Sequence, residues 1–462
     1  MLTGCGGDSH GPWSGNDNNV APGTVVGLAG NAGDGAISLG WSPPITGDAP
    51  FSYTVQVTPA SNGAQITQSE TSVIVRGLVN ATNYSISVRA TNQVGAGTIA
   101  TLQLTPKALT ATYSTVNVIG NNTGSAASGI ADPTLLRLAN GNIWMVYSSV
   151  NYYGSPVTQD KSTSLALSSD GGATFNYMRT LGAATNASVT GTTGNVCAGT
   201  TCNGRWVYEA PFVVDDANDP NASRRFKVFA HKYFLYPSAN PSAIYTLGAI
   251  VMWAAPALDA TTWSAEQSVL GWNSTPPELT PNRIVNTINP ALNECLTIRE
   301  GSASSFKGAL DFVFACDNGS TQKIVQLRST DHANTFSYVG TLLEAADAAP
   351  FNANYFGAPA LVTTETNAQL LLATPAVNRT VNGASTSNAY SGCVVFPIES
   401  EQNATLFRSG ATPLSILQIP ALTDQLNGGC AWERGITGVG ILMNERTANP
   451  VNFSVVNTQI NF

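Results

Sequence analysis

The strongest constraint on this chain is a short motif that recurs through residues 108–462. A small or polar residue, then proline, then an apolar run appears as Asp132-Pro133-Thr134-Leu135-Leu136 and again as Ala210-Pro211-Phe212-Val213-Val214. It returns as Asn289-Pro290-Ala291-Leu292 and as Ala358-Pro359-Ala360-Leu361-Val362. The prolines are 78, 79 and 69 residues apart, and one more step of that size lands near Trp432-Glu433-Arg434. Repeats of short strands at this period predict an all-β propeller. Each proline is expected at the start of an innermost strand, where its missing N–H leaves little unpaired. After Glu433 only 29 residues remain, too few for a whole blade. Residues 112–119 are therefore expected to pair with residues 451–460, closing the ring and leaving no free sheet edge. The count is five blades, with six as the alternative.

Composition removes several function classes. Of 462 residues, 20 are Lys or Arg and 28 are Asp or Glu, so 10% are charged and the net charge is −8. Ordinary soluble domains carry roughly 25%. An acidic chain without a basic run is not built for nucleic acid. With 43% apolar residues it is not disordered, and with so little Glu and Lys it is not a coiled coil. No apolar stretch reaches the length of a membrane span; the longest, 245–258, is interrupted by Gly248 and Pro256. Leu2-Thr3-Gly4-Cys5 resembles a bacterial lipobox, which implies export and a lipid anchor on Cys5 at the outer membrane or cell surface, as the one membrane contact. The Gly-, Asp- and Asn-rich residues up to 21 read as a flexible tether. Six further cysteines suit disulfides in an exported protein. Cys197 with Cys202 and Cys295 with Cys316 are the expected pairs, leaving Cys393 with Cys430. No C-x-x-C pair and only His10, His231 and His332 argue against zinc; no cofactor is expected, and a structural calcium ion in the channel is left open.

Residues 22–107 alternate apolar and polar residues in runs of β-sandwich length, punctuated by Gly, Pro and Asn. Trp41-Ser42-Pro43-Pro44, Tyr53-Thr54-Val55, and Leu78 followed by Tyr84, Val88, Ala90, Asn92 and Gly95 resemble a fibronectin type III domain. The resemblance implies that Trp41 is the core indole and that the Tyr84 hydroxyl returns to upstream backbone. Such a domain reads as a spacer, or as a module contacting a glycan or a partner.

Within the propeller, Ser168-Ser169-Asp170-Gly171-Gly172-Ala173-Thr174-Phe175 resembles the Asp-box turn of sialidase-type propellers. Ser329-Thr330-Asp331-His332-Ala333-Asn334-Thr335-Phe336 resembles it too, with Ala333 at the usual glycine. Asp170 and Asp331 are read as folding residues. Ala131-Asp132-Pro133 and the region from Asn293-Glu294-Cys295 to Asp331 are similar to sialidase blades, where the glutamate partners a tyrosine nucleophile. That family reads a substrate carboxylate with three arginines; Ala131-Asp132-Pro133 stands at the Arg-Ile-Pro motif of the first and no Arg stands near Cys316 for the second, so sialidase activity is not expected. Asp132-Pro133 and Glu209-Ala210-Pro211 also resemble strand starts of five-bladed glycoside hydrolases such as family 43. That resemblance implies Asp132 as general base and Glu209 as general acid.

Glycoside hydrolysis needs two carboxyls facing one bond, one protonated and one ionised. In so weakly charged a chain the candidates are few: Asp132, Glu209, Glu294 and Glu433, with Arg283 and Arg434 as substrate contacts. Trp144, Trp206, Tyr208, Tyr355 and Trp432 stand near strand ends, where an aromatic face can stack on a sugar. The expected function is a surface glycan hydrolase at the propeller mouth. The rivals are a non-catalytic propeller that binds a glycan or protein ligand, and a component of an extracellular assembly.

Overall fold

In the computed structural model the described residues are 20–120, 129–153, 158–190, 200–236, 244–364, 369–381, 384–400, 402–422, 425–448 and 451–461. Met1 to Asn19, with Cys5 and His10, and the loop containing Cys197 lie outside them. Cys202 is disulfide-bonded.

The first domain is a sandwich of a four-stranded sheet on a three-stranded one. Alternation along Tyr84–Thr91 buries Tyr84, Ile86, Val88 and Ala90 against Trp41, Leu39 and Val73. The Tyr84 hydroxyl accepts from the Val79 N–H at 3.0 Å, which locks the corner between two strands.

The second domain, among the described residues, is a succession of five sheets of four to six strands, each with one long or bulged strand nearest the axis; in the second sheet a short strand, Thr185–Thr190, precedes it. These inner strands are Gly129–Arg137, Thr201–Asp215, Thr297–Phe306, Tyr355–Thr363 and Leu426–Ala431. The ring is closed by a short segment of two strands: Ser114–Thr115 pairs with the last strand, at Val456↔Thr115, and Val118–Ile119 pairs with the first sheet, at Phe175↔Val118. Apolar side chains between sheets form the cores, the largest built on Phe212, Phe229, Phe312 and Trp272.

Every inner strand carries a register shift at the same height, after Ala131, Glu209, Arg299, Gly357 and Gly428. At each shift one residue takes a left-handed backbone: Asp132 (φ 52°), Ala210 (48°), Glu300 (53°), Ala358 (42°) and Gly429 (63°). Four of the five carry a Cβ, at a cost of roughly 1–2 kcal/mol each. Such bulges re-aim side chains. Pro133, Pro211 and Pro359 sit inside the bulges, each just after the left-handed residue, rather than at the strand starts.

The third repeat departs from the expected pattern. Asn289-Pro290 begins a 3-10 turn, Pro290–Leu292, in which the Asn289 side chain caps the Ala291 N–H at 2.9 Å. Proline suits the first position of such a turn, because that N–H is unpaired anyway. The true third inner strand has Glu300-Gly301 where the first, second and fourth have proline, and the fifth has Gly429-Cys430. A Cβ on Gly301 would meet the Phe314 ring at 2.3 Å, which leaves no room for proline. Disulfides join Cys295 to Cys316 and Cys393 to Cys430, the latter linking the fourth and fifth sheets.

The Ser168–Phe175 and Ser329–Phe336 turns fold alike. Asp170 and Asp331 each accept from a threonine N–H and hydroxyl, at 3.0 and 2.6 Å in the first and 2.8 and 2.6 Å in the second. Phe175 and Phe336 are buried between sheets.

The first domain is not a detached spacer. Ala36 and Ile74 share a core with Phe407 and Ile416 of the propeller, and the Asp34 N–H donates to the Ile416 carbonyl at 3.1 Å. It covers the propeller end opposite the bulges.

Candidate active site

Three acidic side chains from three successive inner strands meet at the bulges. Asp132 and Glu300 line the small axial cavity, of about 40 Å³, together with Pro133, Ala210, Pro211, Ala358 and Gly429. That volume holds only a few water molecules at most, so the axis is floored at this height. Glu209 adjoins Ala210, and its charge reaches Asp132.

Each carboxyl is held differently. Asp132 accepts from the Ser148 hydroxyl at 2.8 Å and from the Asn444 side-chain amide at 2.8 Å, both neutral donors. Ser148 in turn accepts from the Ala210 N–H at 3.0 Å, tying the first bulge to the second. Burial first, then the nearby charge of Glu209 and more weakly that of Glu300, raises the Asp132 pKa to about 6, against partial relief from Lys161. Glu209 pairs through one oxygen with Lys161, whose side chain is 6% exposed, and through the other with the Tyr233 hydroxyl at 2.6 Å. Burial pushes Glu209 up, but Lys161 and Tyr233 outweigh it and hold the carboxyl below its usual value. Glu300 accepts with one oxygen, Oε2, from the Ala358 N–H at 3.1 Å and from the Tyr390 hydroxyl. Its Oε1 has no hydrogen-bond partner among the described residues. Burial keeps Tyr233 and Tyr390 protonated, well above the normal tyrosine value.

Around them stands a wall of rings and cations. His231 is buried against Tyr233, Tyr245 and Trp272, and burial drives its pKa down to about 3, so it is neutral at ordinary pH. Arg299 pairs with Asp317 at 2.6 Å and lies over the Tyr245 ring at 4.7 Å. Arg299 and Gln322 of the third sheet, Tyr245 of the second and Tyr355 and Asn388 of the fourth line a recess of about 290 Å³.

Of the residues singled out in the sequence, Asp132 and Glu209 come together, and Tyr355 lines the neighbouring recess with Arg299, within reach of the Glu300 charge. The others are elsewhere. Glu294 is 54% exposed and paired with Lys323 on the approach to the third inner strand, and it is not among the groups that act on Asp132. Glu433 and Arg434 lie past the end of the fifth inner strand, at the end covered by the first domain, because the strand runs away from the bulge. Trp144 and Trp432 are buried in cores between sheets, Trp432 bonding Asn461 at 3.0 Å. Tyr208 is buried against Trp253, and Trp206 stacks edge-on with Phe234. Arg283 is exposed on the outermost strand of the second sheet. Large rings near strand ends serve packing here because adjoining sheets close over them. Glu300 escaped the reading because the search followed proline. The usable signal was an acidic residue followed by glycine within a strand, Thr297-Ile298-Arg299-Glu300-Gly301.

Among the described residues, one acid–histidine group elsewhere has metal-ligand spacing: Asp216, Asp219 and His332. The fully buried Lys227 ammonium already sits on it, at 2.8 Å from Asp216 and 2.7 Å from Asp219. It acts as an internal ion cluster.

A family model for the fibronectin type III domain matches residues 21–106. No curated protein matches the chain. Among solved structures, it is similar to a family 32 β-fructofuranosidase of Bombyx mori, at 11% identity over 71% of this chain and 59% of that one, with a TM-score of 0.39. It is similar to a family 117 glycoside hydrolase of the marine bacterium Zobellia galactanivorans, at 12% identity, 76% and 90% coverage and a TM-score of 0.42. The arabinanase of Bacillus subtilis gives 14% identity, 71% and 93% coverage and a TM-score of 0.39. The chain thus spans about three-fifths of the Bombyx mori protein. Residues 21–106 are a fibronectin type III domain, and they precede and cap a β-propeller.

Proposed function

We propose that this protein hydrolyses a glycosidic bond at the propeller mouth, with Asp132 and Glu300 as the reacting carboxyls and Glu209 as the fixed charge that tunes them. The observation that carries this is the convergence of three acids, on strained backbone, in a chain where so few residues are charged. The expected roles change in one respect. A general acid must hold a proton at working pH, and Glu209, ionised by Lys161 with both oxygens engaged, does not. Its negative charge instead raises Asp132 toward neutrality, where a general base works best. Asp132 would take a proton from water as that water attacks the anomeric carbon. Glu300, whose Oε2 is steadied by Tyr390 and whose Oε1 is uncommitted among the described residues, would be the carboxyl that faces the departing sugar oxygen. The recess of Arg299, Tyr245 and Tyr355 offers hydroxyl donors and ring faces to the sugar beside that bond.

Two disulfides fit an oxidising compartment, so the same reading puts the protein outside the cell with Cys5 as its lipid anchor. Radiolabelled palmitate incorporation lost in Cys5→Ala tests that part.

The test of activity is release of reducing ends from a panel of plant, algal and bacterial polysaccharides by wild type, Asp132→Asn, Glu300→Gln and Glu209→Gln. Hydrolysis by wild type that falls in the first two variants supports the assignment. Equal rates in Glu300→Gln would remove Glu300 from the chemistry. Tight glycan binding without any product would make the propeller a binding module instead.

A further inference from the structure

The fifth inner strand is the exception among the five bulges. Its left-handed residue is Gly429, whereas the other four positions hold Asp132, Ala210, Glu300 and Ala358. Alanine at two of them shows that this backbone tolerates a Cβ, so backbone strain alone does not require glycine in the fifth. A neighbour does. A Cβ on Gly429 would lie 2.6 Å from the amide nitrogen of Asn444. The space a side chain would fill is given to Asn444, which stands on the next strand, Leu442–Ala448, opposite Gly428.

Asn444 uses that space to reach Asp132, 312 residues away in sequence, with both ends of its side chain. Its amide oxygen accepts from the Asp132 N–H at 2.6 Å, and its amide nitrogen donates to Asp132 Oδ1 at 2.8 Å. An amide whose oxygen meets an N–H must turn its NH2 the other way, here onto the carboxyl, so its orientation is fixed. The first contact satisfies the donor of a residue on strained backbone, and the second fixes where the carboxyl points. The Ser148 hydroxyl holds the other oxygen, Oδ2, at 2.8 Å. The charges that reach Asp132 are those of Glu209, Lys161 and Glu300. Asn444 belongs to the last sheet and Asp132 to the first, so this contact forms only across the seam where the ring closes.

We propose that Asn444 is the positioning residue for Asp132, holding both its bulged backbone and its carboxyl in place at the axis from across the closing seam. The inference rests on the reading of Asp132 as the general base. Asn444 acts through Asp132 rather than on the sugar. A reacting group misplaced by about 1 Å can cost on the order of 10²-fold in rate, so a clamp on both ends of one residue matters to turnover more than to binding. The fifth sheet thereby brings an amide to the axis where three others bring acids, and Gly429 is what lets it in.

The test uses two variants of the full chain. Asn444→Ala removes both contacts; Gly429→Ala leaves Asn444 and Asp132 in place and pushes the amide aside. Each is labelled with carboxyl-¹³C aspartate and titrated by NMR, with Asp132→Asn assigning the Asp132 signal. An N–H donor favours the ionised form of its acceptor, so the Asp132 midpoint should rise above its wild-type value of about 6 in both variants. On a cleaved glycan, kcat should fall by about 10²-fold with KM little changed, and the acid limb of the rate profile should move up with the midpoint. A wild-type midpoint in Asn444→Ala, or a wild-type kcat, would overturn the proposal. Where Asn444→Ala does not fold, Gly429→Ala decides by the same two readouts. If wild type cleaves no glycan, the hydrolase reading fails on its own, and the titration alone decides whether Asn444 holds Asp132.

Discussion

At the mouth of the propeller, Asp132, Glu209 and Glu300 stand on or beside bulged backbone, half-buried, with one buried lysine among them. At the other end the same strands finish near Arg137, Asp215, Lys307 and Glu433, where charges of both signs are spread around a roomy cavity under the sandwich domain. The difference comes from the local backbone. A left-handed residue swings its neighbour's side chain toward the axis, and five such positions at one height gather what they carry. Where like charges gather and water is thinned, proton affinities move apart. At the far end, charges of both signs are spread around the cavity wall instead.

The comparison breaks first on catalysis. Glu300→Gln and Asp132→Asn should each cut hydrolysis by about 10²–10⁴-fold, the usual weight of a general acid or base. Arg434→Ala, at the opposite end, should leave turnover intact. Initial rates on whichever glycan is cleaved decide this, and equal losses from both ends would erase the distinction.

The next largest effect should be on stability. Lys161→Met strands the Glu209 charge in a poorly hydrated site, and breaking a buried pair typically costs about 3–5 kcal/mol. Pairing it with Glu209→Gln should restore much of that loss. Urea unfolding of the single and double variants measures it; an unchanged midpoint in the single variant would mean that the pair contributes little.

The pH dependence sharpens the contrast. Folded Asp132 titrates at about 6 and unfolded aspartate at 3.8, so its contribution favours the fold below about pH 4 and is lost as pH rises through 6. The size is on the order of 3 kcal/mol. Buried His231 works in the opposite sense. Its folded value is about 3 against 6.5, so its contribution is complete above pH 6.5 and is lost as pH falls toward 3. Asp132→Asn should therefore leave stability rising more steeply between pH 4 and 6 than in wild type. Identical slopes would contradict the burial of that carboxyl. Activity should rise along a limb near pH 6 as Asp132 ionises.

The smallest effect on turnover is expected from undocking the sandwich. A Cβ at Gly33 would lie 2.3 Å from the Ile416 carbonyl oxygen. Gly33→Val should loosen the first domain, splitting thermal unfolding into two transitions, with hydrolysis retained. A single transition would show that the interface adapts.

The repeat, the sandwich and two of the three acids were legible in the residues because each is a local matter. Proline marks the bulge since its ring tolerates a place where the ladder has slipped. Alternation marks the sandwich strands, and Tyr84 marks their corner. Local signals also misled. Asn289-Pro290 had the right letters but capped a short helical turn, and Trp144 and Trp432 had the right positions but were claimed by the cores between sheets.

What the order of residues determined by itself was an all-β chain of two domains, with rare acids placed near repeated strand breaks. Only the folded ring decided which of those acids share a site. Lys161 is 48 residues from Glu209 and Tyr390 is 90 from Glu300, so neither the ionised state of the one nor the uncommitted oxygen of the other is written in any local pattern. Those properties depend on burial and on through-space charge, and both exist only once distant strands have closed around a common axis.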